Sequence, residues 1–219
     1  MPRAGGPPVE QPRSKRAAQA EATRELLLAT ARDVFSERGY HNTSVGAITA
    51  AAETAHGTFY LYFRNKEDVF AHVVQSVVLE MYDGMAPLKH DARGPQLIRR
   101  LMRGWMEVYV AHAGIWRCLL EAVFTSPTIE ALWRDLREGF ISQMARSMAE
   151  FQQLGKVRDD VDPVLAANAI GGMLEWAATT TFVLRMPPVD NASFDDTVET
   201  LADLCYHALA TSVLAHPTD

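Results

Sequence analysis

The sequence predicts an all-α protein, with an N-terminal head of three short helices and a C-terminal helical-bundle body, about nine helices in total. Three observations carry that expectation. Apolar residues recur at spacings of three and four along the chain from about residue 21. No segment alternates apolar and polar residues with the period of two that a half-buried strand requires. The boundaries are punctuated by helix starts and stops, such as Ser126-Pro127 and Asp162-Pro163, where a capping oxygen precedes a proline in the first turn.

Residues 1–20 hold Pro2, Pro7, Pro8 and Pro12 with Gly5 and Gly6 and almost nothing apolar, so they read as a disordered arm. Arg3, Arg13, Lys15 and Arg16 make that arm partly basic. From residue 21 a first helix sets Leu27, Ala31, Val34 and Phe35 on one face, and Gly39 ends it. Thr43 or Ser44 can cap a second helix that turns Val45, Ile48 and Ala52 inward. A third covers roughly 56–62. Asn65 then caps a fourth, with Asp68 in the capping-box position and apolar doublets at 69/70, 73/74, 77/78 and 81/82. The head therefore spans 21–66, and the body spans 67–219.

Body helices are expected from Gly94-Pro95 to about Ala113, and over Ile115–Phe124 after a break at Gly114. Further ones run from Ser126-Pro127 to Gly155, from Asp162-Pro163 to about Leu184, and from Ser193 to about residue 214.

Composition narrows the function. The chain of 219 residues is 48% hydrophobic and 22% charged, enough to bury a core. Its net charge of −6 is unevenly spread: 9 Lys and Arg face 8 Asp and Glu through Phe70, against 12 and 19 beyond it. An acidic total is compatible with a locally basic surface in the head. Cys118 and Cys205 lie far apart in apolar helical patterns and read as reduced thiols of a cytoplasmic protein. No apolar run is long enough to cross a membrane. No His, Cys or carboxylate set has metal-ligand spacing, and no phosphate loop or nucleophile signature occurs, so neither cofactor nor enzyme activity is expected.

The chemistry of the head sits in the stretch "GTFYLYF", residues 57–63, followed by Arg64 and Lys66. Phe59 and Phe63, four apart, make the inward face of a short helix; Thr58, Tyr60 and Tyr62 point away from it or along its edge. Tyrosines placed so can bond phosphates and touch thymine methyls, and Lys66 can clamp a phosphate. Together with "RDVFSERGYHNTSVGAI" and Lys66-Glu67, this run resembles the TetR family of one-component repressors over residues 21–70.

The resemblance implies a homodimeric repressor that binds a palindromic double-stranded DNA operator. It assigns DNA contacts to Thr43, Ser44, His56, Gly57, Thr58, Tyr60, Tyr62 and Lys66. Two departures matter. Ala52-Glu53-Thr54 stands where the family usually has Ala-Gly-Val, which leaves Glu53 in a turn suited to glycine and Thr54 in place of an aliphatic. Gly46 stands where many relatives carry a DNA-contacting cation, which shifts base reading onto His56, Thr58 and Tyr60. These departures support an alternative: a small-molecule binding protein whose head is degenerate.

All four tryptophans and eight of the nine methionines lie beyond Phe70, a composition suited to a pocket for apolar ligands. The runs "HAGIWR", "LWRDLREGFI" and "MLEW" are similar to the ethionamide-resistance repressor branch of the family. That similarity implies a hydrophobic effector held by Trp105, Met106, Tyr109, Trp133, Phe140, Met144, Met173 and Trp176, whose binding releases the DNA. Tyr109, Thr179 and Asn168 are candidates for its orienting hydrogen bonds. Residues 163–184 and 194–214 are the expected dimer helices, with Gly171-Gly172 permitting close approach of a partner helix. Arg99, Arg100 and Arg103 read as a solvated helix face.

Overall fold

The structure is a computed structural model that describes residues 12–85 and 94–210. Among these residues there are nine α-helices and no strand. The head comprises α1 (Pro12–Arg38), α2 (Val45–Ala51) and α3 (His56–Phe59). The body comprises α4 (Lys66–Met85), α5 (Pro95–Ala111), α6 (Ala113–Val123), α7 (Pro127–Gln153), α8 (Pro163–Ala178) and α9 (Phe194–Leu209). A single π-helical turn, Thr179–Val183, extends α8.

The expected caps are present. Ser44 Oγ accepts from Ala47 N–H at 3.1 Å, and Asn65 Oδ1 accepts from Asp68 N–H at 2.8 Å. Ser126, Asp162 and Ser193 do the same for α7, α8 and α9. Asp68 does not complete a capping box. Its carboxylate accepts from Arg64 N–H and from the Arg64 guanidinium, and this bond holds its pKa below the ordinary carboxylate value. Gly39 closes α1 with φ +79°, and its N–H donates to Phe35 O at 2.9 Å.

Several expectations are corrected. The disordered arm does not reach residue 20, because α1 already begins at Pro12; residues 1–11 lie outside the described residues. Residues 15–22 are exposed, so that extension of α1 stands clear of the core. The third helix is one turn long, and Tyr60–Tyr62 continue it as a tight turn, with Leu61 N–H bonded to Thr58 O. Gly114 is not a breaker. The break falls at His112, and Gly114 lies inside α6, where an added Cβ would come within 2.8 Å of the Ser36 backbone. Glycine is there to let α1 and α6 touch. Gly171 serves the same purpose within the chain: its Cβ would meet Ile141 Cδ1 at 2.8 Å, so it lets α8 approach α7.

Arg99 and Arg103 are also not a merely solvated face, since they pair with Glu199 and Asp195 and tie α5 to α9. Residues 211–214 of the expected last helix lie outside the described residues.

The core of the head is continuous with that of the body through α4, whose Val69, Phe70, Val73, Val74 and Val77 are buried. Burial pushes the Cys118 thiol up to about 12 and the Cys205 thiol up to about 11, as expected of packed structural cysteines.

Candidate functional site

In the head, Phe59 and Phe63 are buried and their rings pack 5.6 Å apart. That anchors the short helix and leaves its other side free. Tyr60 is 52% exposed, with His56 set edge-on to its ring at 5.4 Å. Leu61, which the sequence reading passed over, is 78% exposed, an unusual position for an aliphatic residue. Gly57 and Ser44 are exposed as well, Thr58 is half-buried, and Tyr62 is half-buried against the core. The exposed polar and aromatic surface of the head is thus made by His56, Gly57, Tyr60 and the start of α2.

Two expected contacts are not of that kind. Thr43 is buried, and its hydroxyl donates to Gly39 O at 2.7 Å. It fastens the α1–α2 turn and presents nothing outward. Lys66 is half-buried; its Nζ donates to Tyr40 O at 2.9 Å and lies 4.4 Å from the centre of the Tyr40 ring. It is engaged with the head's own backbone, not held as a free clamp.

The departures at the turn have structural consequences. Glu53 takes φ +50°, a left-handed conformation strained for a residue with a Cβ. Thr54 Oγ1 is buried with no hydrogen-bond partner among the described residues.

The body is hollow. A cavity of about 450 Å³ lies among α4, α5, α7, α8 and α9, lined by apolar groups such as Met102, Met144, Met148 and Leu174. A narrow middle of about 60 Å³ follows, sharing Tyr82, Trp105 and Phe140 with the first. A third space of about 400 Å³ shares Tyr109, Trp116, Trp133, Arg137 and Glu175 with the middle and reaches the surface at Trp176 and Phe124.

Of the expected ligand residues, Trp105, Tyr109, Trp133, Phe140, Met144 and Trp176 line this chain of spaces. Met106 is wholly buried and lines none of the three; Met173 packs against the core and lines none either.

Polar groups gather in the narrow part. Tyr109 and Thr179 bond each other at 2.7 Å, and burial raises the Tyr109 pKa well above the ordinary phenol value. Arg137 of α7 pairs with Glu175 of α8, and a 3.3 Å bond to Asn168 also holds Arg137, so Asn168 is not free to orient a ligand. Burial raises the Glu175 pKa, and the Arg137 charge and hydrogen bond oppose that rise. This pair was missed because its members stand 38 residues apart and neither belongs to a motif. Among the described residues no cluster of His, Cys, Asp or Glu could hold a metal ion, and no helix is long and apolar enough to cross a membrane.

Helix α6 lies between the two regions. Trp116, Leu119, Leu120 and Val123 face the third space. From the same helix, the Glu121 carboxylate accepts from Tyr40 N–H at 2.8 Å and the Cys118 thiol donates to Phe35 O at 3.1 Å. Just after α6, Ser126 Oγ–H donates to Glu67 at 2.7 Å.

Comparison with known proteins agrees with this division. Residues 27–73 match the bacterial regulatory proteins of the tetR family, and residues 98–209 match the C-terminal domain of the transcriptional regulator EthR. The transcriptional repressor DhaR of a Mycobacterium species is 30% identical over 168 residues, 74% of this chain and 81% of its own length. The regulator EthR of Mycolicibacterium smegmatis is 24% identical over 182 residues, 81% of this chain and 84% of its own. Among solved structures, the fatty acid degradation regulator FadR of Bacillus halodurans superposes with a TM-score of 0.72 at 21% identity, covering 84% of this chain and 94% of its own. A TetR-family regulator from Mesorhizobium loti superposes with a TM-score of 0.72 at 20% identity, covering 88% and 98%.

Proposed function

We propose a mode of action for a chain that belongs to the TetR family of transcriptional regulators, whose members are not enzymes. In this reading it acts in the cytoplasm as a homodimeric repressor. Two heads enter successive major grooves of a palindromic operator, about 34–36 Å apart. Ser44, His56, Gly57, Thr58, Tyr60 and Tyr62 meet the DNA, and a hydrophobic small molecule in the body releases it.

The observation that carries the ligand half is the position of α6. One side of the helix lines the third space, and the other is bonded to the α1–α2 turn and to α1 itself. A molecule that moves α6 also moves the head. A ligand that fits the displaced α6 better than the undisplaced one shifts the population away from DNA, and operator binding weakens ligand binding by the same factor. The dimer reading draws on the outer face of α8, where Val164, Leu165 and Trp176 are exposed, and on Leu204 of α9.

The test is fluorescence anisotropy of a labelled duplex taken from upstream of the protein's own coding sequence. Expected are a steep salt dependence, preference over a scrambled duplex, and release on adding apolar ligands. Equal affinity for both duplexes would leave the chain a small-molecule binding protein with a degenerate head, the reading that Glu53 and Thr54 favour.

A further inference from the structure

The narrow middle of the hollow body concentrates hydrogen-bond donors, and one of them is unused. Trp116 is 4% exposed and lines both the middle and the third space, yet its Nε1–H finds no acceptor among the described residues. Its ring is fixed by stacking on Tyr109, 4.7 Å away and nearly parallel, and Tyr109 stacks in turn on Trp105 at 4.8 Å. The indole therefore cannot turn far to find a partner. A buried N–H held in place without an acceptor forgoes an interaction that a bound molecule can supply.

We propose that the effector carries a neutral carbonyl group, as in an ester, thioester or amide, whose oxygen accepts from Trp116 Nε1–H while its hydrocarbon chain fills the large cavity. The proposal rests on the reading of the body as a sensor and specifies the chemical class of its ligand. The chain end is set by the lining of the 450 Å³ cavity, where Ile98, Leu101, Met102, Met148 and Leu174 offer apolar contact only. The head group is set by charge. Arg137 and Glu175 already neutralise each other beside Trp116, so a carboxylate would place a second negative charge next to Glu175. An ammonium would meet Arg137. A neutral acceptor disturbs neither partner.

The experiment uses the full chain and four probes with similar chains: methyl decanoate, dodecane, decanoate and decyltrimethylammonium. Affinities are read by displacement of a hydrophobic dye. Indole N–H resonances of the four tryptophans are followed by NMR, with the Trp116 signal assigned by its loss in Trp116→Phe, which keeps the stacked ring. Methyl decanoate is expected to bind roughly tenfold tighter than dodecane and to shift the Trp116 indole proton downfield. In Trp116→Phe that advantage should vanish while dodecane binds as before.

Equal binding of ester and dodecane to the wild-type protein, or an unmoved Trp116 resonance, overturns the carbonyl assignment without touching the sensor reading. Tightest binding by decanoate or by the ammonium does the same and moves recognition to Arg137 or Glu175. If no probe binds saturably, the sensor reading fails, and this inference fails with it. The wild-type ligand series decides the matter even if the variant does not fold.

Discussion

Head and body are both assembled from helices carrying large aromatic residues, yet one is filled and the other is hollow. In the head, Phe35, Ile48, Phe59 and Phe63 come from four different segments and have almost no exposed surface. Each ring there meets a neighbouring element, as Phe35 meets Tyr40 and Phe70. In the body, Trp105, Tyr109 and Trp116 stack on one another in a ladder along α5 and α6. Rings stacked on their own neighbours do not reach across to α7 and α8, and the unfilled space remains on that side. Apolar volume is similar in the two regions; what differs is the direction in which it is spent. A module that must hold one surface rigid has its rings directed across the core, whereas a module with a chamber has them directed along its wall.

The largest effect that tests this contrast is Phe59→Ala. Phe59 is fully buried beneath the exposed Tyr60, so the truncation removes ring contacts and leaves a cavity in a closed core. A loss of about 3–5 kcal/mol is expected in chemical denaturation. If the loss were below about 1 kcal/mol, the head would not be the filled region described above.

Tyr60→Ala, one residue on, should behave in the opposite way. Its ring is half exposed and touches His56 and the edge of Phe59. Operator affinity should fall by about 1–3 kcal/mol with the melting temperature nearly unchanged. A large drop in melting temperature with affinity preserved would return Tyr60 to the core.

The contrast between these adjacent residues was legible in the sequence, because Phe59 and Phe63 share a helical face by spacing alone. The caps at Ser44, Asn65, Ser126, Asp162 and Ser193 were legible for a similar reason, since each satisfies backbone N–H groups two or three residues away. So was the strain at Glu53, because a turn suited to glycine constrains whichever residue occupies it. What could not be read depends on contacts between distant positions. Lys66 is committed to a carbonyl 26 residues earlier, Gly114 lies against Ser36, and Arg137 meets Glu175. Local spacing gave no sign of any of these, and each changed a role inferred from residue type.

Glu53→Gly tests the head at a smaller scale. Glycine removes the steric penalty of the left-handed conformation but adds backbone entropy to the unfolded chain. A net gain of about 0.5–1 kcal/mol in stability is expected, with operator affinity unchanged. Destabilisation on this substitution would show that Glu53 is held by something other than its turn.

Acidity probes the joint between the regions. Burial alone would raise the Glu80 pKa, but the hydrogen bonds from His112 and Arg32 outweigh it and leave the carboxyl below its ordinary value. The folded pKa is therefore lower than the unfolded one, and the sign follows. Its contribution is fully present above the ordinary glutamate range and is lost as pH falls through the lowered folded value. The stability gap between wild type and Glu80→Gln should accordingly be constant near neutrality and shrink in acid. A gap that widens in acid would mean that this carboxylate is not stabilised by its partners.

The smallest effect is expected from enlarging a residue in the hollow region. Met144 lines the 450 Å³ cavity, and Met144→Trp extends into space that no side chain occupies. Its cost should stay below about 1 kcal/mol, whereas Ala31→Leu, at a fully buried site of α1, should cost about 1–3 kcal/mol by overpacking. Filling the cavity should also lower the affinity for hydrophobic probes while leaving DNA affinity as it was, because the DNA-facing residues of the head are unchanged. Parallel denaturation of the two variants, with dye binding on Met144→Trp, separates the possibilities. Were Met144→Trp as destabilising as Ala31→Leu and the wild type unable to bind any probe, the body would be as tightly packed as the head, and the contrast between them would fall.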